Sequence, residues 1–168
     1  AGCSAASPAT PAATAPAAGS GAVPVIAVID GDSVAVGPPR LEVRLIGINA
    51  PERDQVLHGE ATAYLRDLLA GHRVHLATDV EVRDRHGRTL AYVHRDDGLF
   101  VNLEMVRAGF AQALTVPPNV AHLDAFRRAE TEMAAEVLVR DRRHAAGRVP
   151  ADVNRHAVRL LVRQRHAH

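Results

Sequence analysis

Three short runs rich in Val, Ile and Leu, at residues 23–29, 33–36 and 41–48, are separated only by the turn signals Asp30-Gly31 and Gly37-Pro38-Pro39. Runs this short and this closely punctuated read as a three-stranded meander. A helix is expected at 58–70, where Ala61, Leu65, Leu68 and Leu69 form a stripe that Gly71 ends. Two more β runs, 73–77 and 89–94, flank the turn-rich Asp84-Arg85-His86-Gly87. Helical spacing then returns at 99–108, stopped by Gly109, and at 123–139. The order β-β-β-α-β-β-α-α, with one helix between the third and fourth strands, fits an α+β, mainly β fold: a five-stranded OB-type Greek-key barrel with three helices. Such a barrel is often used to hold oligonucleotides, although a fold alone does not establish a function.

A length of 168 residues suits one domain with a hydrophobic core and appendages at its ends. Residues 1–22 are nearly all Ala, Pro, Ser, Thr and Gly, the composition of a flexible tether. Ala1-Gly2-Cys3 resembles the end of a bacterial lipoprotein signal, so Cys3 is expected to carry a lipid anchor, which places the domain outside the cytoplasm as a secreted or envelope protein. Cys3 is the single cysteine, so no internal disulfide and no Cys-rich zinc site can form. The ten histidines are scattered without zinc-ligand spacing. No run of eighteen apolar residues is present to span a membrane.

All 20 cationic residues of the Lys and Arg class are Arg. A GC-biased genome gives the same result, so the bias by itself points to no ligand. Its distribution says more. Residues 23–139 carry 12 Arg against 17 acids, and residues 140–168 carry 8 Arg against 2 Asp. From Asp152 onward, Val153, Ala157, Leu160 and Leu161 would share one helical face and Arg155, Arg159 and Arg163 another. The division is therefore a tether at 1–22, a domain at 23–143 and an Arg/His-rich tail at 144–168, the tail suited to non-specific contact with a polyanion.

Three segments carry polar residues where this barrel would place them near one rim: Asp30-Gly31-Asp32-Ser33, Arg44 through Asn49-Ala50-Pro51-Glu52, and Arg88 after the Gly87 turn. Oxygen donors from Asp32 and the 49–52 segment suit a hard cation, Ca²⁺ or Mg²⁺. Two arginines from different strands suit a phosphodiester whose charge grows in the transition state, and Glu52 can take the proton of an attacking water. Each residue also has an ordinary explanation: Asp30-Gly31 as a hairpin turn, Arg44 pointing to solvent from an apolar strand, Glu52 as a first-turn helix acid.

The blocks VIDGDSVAV (28–36), VRLIGINAPE (43–52), GEATAYLRDLL (59–69), DRHGRTLAYV (84–93) and FVNLEMVRAGFA (100–111) resemble, in order, the signature blocks of the staphylococcal nuclease family. The similarity runs from Val23 to about Arg143. It implies Ca²⁺ ligated by the Asp32 carboxylate, the Asn49 side chain and the backbone carbonyl of Ala50. It also implies Arg44 and Arg88 on the scissile phosphate and Glu52 as the base that activates water. DNA or RNA would be cleaved to 3′-phosphate ends by a monomer with no protein partner. The chain departs from the family where Asn49 stands in place of a metal-binding Asp, where His86 replaces a Tyr, and where 113–118 lacks nucleotide-contacting tyrosines. Weaker metal binding and weaker base stacking are expected from these changes. The alternative is a catalytically weak or inactive nucleic-acid-binding module of the cell envelope.

Overall fold

A computed structural model describes residues 21–145, with side chains as far as Leu138. Cys3, the basic helix expected from Asp152 and all but the inner ends of the tether and tail lie outside the described residues. Strand β1 (Val23–Asp30) turns at Gly31-Asp32 into β2 (Ser33–Val36), which pairs antiparallel with β3 (Leu41–Leu45). After β4 (Ile48–Asn49) and helix α1 (His58–Leu69) the chain forms β5 (Arg73–Ala77) and β6 (Thr89–Arg95), an antiparallel pair. Strand β6 runs parallel to β3, and β5 returns to β1 through Val23 opposite Val74, so the order β1-β2-β3-β6-β5 closes into a barrel. Helix α2 (Val101–Arg107), strand β7 (Gln112–Ala113) and helix α3 (Leu123–Ala145) complete the chain. The expected five-stranded barrel with three helices is the observed fold.

Two details differ from the sequence reading. The run expected over 41–48 is broken: β3 ends at Leu45, and β4 leaves the barrel to pair with β7. Gly47 makes the break, since it adopts φ 81° and a Cβ there would lie 2.2 Å from the Phe126 ring. Helix α3 also runs past 139 to Ala145, across the expected domain limit at 143.

The core follows the expected patterns. Ala61, Leu65 and Leu69 recur every four residues and form the buried stripe of α1, while Val34, Val36, Val43, Leu45, Val74 and Val93 fill the barrel. Asn102 on α2 is fully buried and ties three backbone segments together. Its Oδ1 accepts the Val93 N–H at 2.9 Å, and its Nδ2 donates to the carbonyls of Ile46 at 2.9 Å and Ala91 at 3.4 Å. Removing the side chain strands two or more buried backbone groups. Asn102→Ala is therefore expected to cost about 2–4 kcal/mol in urea unfolding, and an unchanged midpoint would show that the tie carries no stability.

His94 is the opposite case. It is 4% exposed and stacks on Phe100 at 4.5 Å, and among the described residues neither ring nitrogen has a hydrogen-bond partner. Burial, and then repulsion from His122 and His75, push its pKa below the ordinary 6.5. The unfolded chain thus binds more protons as pH falls below about 6.5. Stability is complete above that value and is lost as pH drops towards the folded-state pKa. His94→Phe should flatten the loss of stability between pH 7 and pH 5, measured by thermal unfolding; an equally steep loss would acquit His94.

Candidate active site at the barrel rim

The β1–β2 turn is pressed against the segment after β4. A Cβ on Gly31 would lie 2.6 Å from the Ala50 Cβ and 3.0 Å from the Ala61 Cβ, so the turn requires glycine to approach Ala50 and α1 this closely. The approach places Asp32 where the Ala50 N–H donates to its Oδ2 at 2.9 Å, while the Ser33 hydroxyl donates to Oδ1 at 3.1 Å. Asp30 braces the turn from behind by accepting the Asp32 N–H at 3.1 Å.

Arg44 on β3 lies opposite Ser33 on β2, and its side chain reaches back to the turn. Its Nη2 meets Asp32 Oδ2 at 2.9 Å, donates to the Ile48 carbonyl at 3.1 Å and comes within 3.4 Å of Asn49 Oδ1; Nη1 donates to the Leu45 carbonyl at 2.6 Å. The break after Leu45 turns these carbonyls onto the guanidinium. Arg44 therefore points into the site rather than to solvent. Asp32, Arg44, Asn49 and Ala50 form one hydrogen-bonded cluster.

Burial pushes the Asp32 carboxyl up to about 6, against the pull of Arg44 and the Ala50 N–H, and Asp30 adds to the rise. Burial likewise lowers Arg44, opposed by Asp32 and reinforced by Arg88; Asp30 and Glu52 act weakly in the raising direction. The charges of Arg88 and Glu52 thus both reach Arg44. Arg88 and Arg44 line the same cleft of about 470 Å³, which has Leu90, Leu114 and Val116 as an aliphatic wall. Glu52 is exposed in the loop ahead of α1, where its N–H donates to Gln55 Oε1 at 3.0 Å and its carbonyl accepts the Gln55 N–H at 2.8 Å. It lies six residues before the helix and is not a first-turn acid.

The sequence reading placed Asp30 near the rim without its bracing role, and it missed Asp84 as a site residue and the carbonyls that hold Arg44. Asp84 was legible in principle, because an Asp that opens a turn ending in Gly favours an Asx-turn, in which its side chain accepts the N–H two residues on, here that of His86. The carbonyls had no signal, since they depend on the break at Gly47.

The Asp32 carboxylate, the Asn49 amide oxygen and the Ala50 carbonyl are all hard oxygen donors, and a buried carboxylate whose charge is only partly compensated suits a divalent cation. Among the described residues, the rim does not gather three carboxylates within reach of one ion. Among the described residues, His72, Asp96 and Asp97 are the one group of three His or carboxylate ligands within 4.8 Å of one another. That group lies at the far end of β6 from Arg88. There Asp96 is taken up by His72 at 2.9 Å and the Arg73 N–H, and Asp97 by Arg95.

A closed five-stranded barrel whose rim joins Asp32, Arg44 and Asn49 to the cleft lined by Arg88 fits a protein of the nuclease class. The chain belongs to the family described as staphylococcal nuclease homologue, whose model matches residues 42–137. It is 40% identical over 89 residues to an uncharacterized endonuclease of Escherichia coli O157:H7, a match covering 52% of this chain and 57% of that protein. It is 34% identical over 113 residues to the thermonuclease of Staphylococcus intermedius, covering 62% and 67%, and 32% identical over 116 residues to that of Staphylococcus hyicus, covering 64% and 68%. The chain thus spans little more than half the length of the Escherichia coli relative.

A carboxyl raised from 3.8 to about 6 is a cost to the fold once ionised, absent below about pH 3.8 and complete above about pH 6. Asp32→Asn mimics the protonated form. Thermal unfolding in chelator should show it more stable than the parent at pH 7 by on the order of 1–3 kcal/mol, with the gap closing towards pH 4. A less stable variant at pH 7 would mean that the Arg44 pair outweighs the burial.

Proposed function

We propose that this chain is a calcium-dependent endonuclease that hydrolyses phosphodiester bonds of DNA or RNA and leaves 3′-phosphate ends. The observation that carries this reading is that one guanidinium, Arg44, both contacts the buried Asp32 and lines the Arg88 cleft. The carboxylate proposed for the cation and the arginines proposed for the phosphate are therefore neighbours.

In this reading Asp32, Asn49 and the Ala50 carbonyl hold Ca²⁺, which when bound polarises the phosphoryl oxygen and offsets its growing charge. Arg44 and Arg88 orient the phosphodiester and bind its charge in the transition state, for which the guanidinium fork is suited. Glu52, an exposed carboxylate three residues after Asn49, takes the proton of the attacking water in this reading. The aliphatic wall, with His86 as the aromatic ring lining the same cleft, offers bases a contact surface with little stacking, which fits low sequence preference. We place the enzyme outside the cytoplasm as a monomer, secreted or attached through Cys3, with the Arg-rich tail holding polyanions near the acidic domain.

One observation favours a second reading, a nucleic-acid-binding module with little or no activity. Asn49 brings no charge to the cradle, and its oxygen faces Arg44. The full chain, given single-stranded DNA, duplex DNA and RNA with Ca²⁺ titrated against chelator, decides between the two. Cleavage that requires Ca²⁺ and falls at least about a hundredfold in Glu52→Gln supports the enzyme. Binding without cleavage at every Ca²⁺ concentration hands the site to the second reading. Asn49→Asp should tighten calcium binding by calorimetry, and an unchanged affinity would remove Asn49 from the ligand set.

A further inference from the structure

The loop carrying Arg88 is built around one carboxylate. Asp84 Oδ1 accepts the N–H groups of His86 at 2.9 Å and Arg88 at 3.0 Å, and Oδ2 accepts Nε of Arg88 at 2.8 Å. The backbone closes the same loop. The Asp84 N–H donates to the Arg88 carbonyl and the Gly87 N–H to the Asp84 carbonyl, both at 3.0 Å, with Gly87 at φ 81°. Both Asp84 and Arg88 line the cleft that Arg44 borders.

We propose that Asp84 is the positioning residue of the arginine clamp, holding Arg88 by Nε so that its two Nη groups are left to face the phosphate. This rests on the nuclease reading of the cleft. An ordinary exposed i,i+4 pair between two free side chains contributes little. Here the carboxylate is fixed by two backbone N–H groups before it meets the guanidinium, so Arg88 is held in one orientation ahead of substrate binding. The choice of Nε also explains an acid inside an anion-binding cleft: its charge is spent on the side of Arg88 turned away from the phosphate. Burial raises the Asp84 carboxyl, but the Arg88 side chain and the N–H groups of Arg88 and His86 together bring it below the usual range, so it stays ionised at neutral pH.

Asp84→Asn tests the role in the full chain, because an amide keeps an oxygen for the two backbone N–H groups and replaces the acceptor of Arg88 Nε with a donor. On an oligothymidylate in saturating Ca²⁺, Asp84→Asn should lower kcat/KM by about tenfold or more, and Asp84→Glu should recover part of it. In an Arg88→Ala background Asp84→Asn should cause no further loss. An equal loss in both backgrounds, or no loss in either, overturns the proposal. The ¹⁵N Nε–H resonance of Arg88 supplies a readout that needs no variant. Slow exchange with water supports the proposal, and exchange as fast as in free arginine overturns it. If the wild-type chain cleaves nothing, the nuclease reading falls. The same cycle, run on affinity for fluorescein-labelled oligothymidylate, then still decides whether Asp84 acts through Arg88.

Discussion

The ion pair between Asp32 and Arg44 is the contact around which the rim is arranged. Both partners are largely buried, and both have their ionised forms disfavoured by burial. A buried pair survives only where further hydrogen bonds satisfy the remaining donors and acceptors. They are satisfied here: Ser33 and the Ala50 N–H serve the carboxylate, and the Leu45 and Ile48 carbonyls serve the guanidinium. Those partners exist because Gly31 lets the first turn press on Ala50 and because Gly47 breaks the third run. The site thus depends on two glycines that carry none of its chemistry.

A carboxylate held at a cost to the fold is a feature of functional sites, where preorganisation is retained against stability. Asp32 fits that pattern, since a cation held against it would offset the charge that burial disfavours. Asn49 modifies the balance. Its amide brings no charge and leaves its oxygen within reach of Arg44, so the carboxylate in direct contact with Arg44 is that of Asp32. Leu114 and Val116 give the cleft an aliphatic surface where aromatic rings would stack bases.

The barrel was legible because its strands are short, apolar and separated by Gly and Pro turns, and because Ala61, Leu65 and Leu69 keep a strict helical spacing. Asp32, Arg44 and Arg88 were legible as a set. Arg44 alone was ambiguous, because an Arg between Val43 and Leu45 has two faces to choose from and only the register with Ser33 decides. The β4–β7 pair was not legible, as two-residue strands carry no period and their pairing spans more than sixty residues of chain. The break at Gly47 was missed because glycine within an apolar run does not announce the Phe126 ring that excludes a side chain there.

The proposed cation site is the rim beside Arg44 and not the group of His72, Asp96 and Asp97. Paramagnetic lanthanide loading of the full chain, read through amide pseudocontact shifts and line broadening, locates the ion directly. The account predicts an ion centred on Asp32, Asn49 and Ala50, with the strongest broadening at residues 30–33 and 48–52. An ion centred on His72, Asp96 and Asp97, with the rim unaffected, would contradict it.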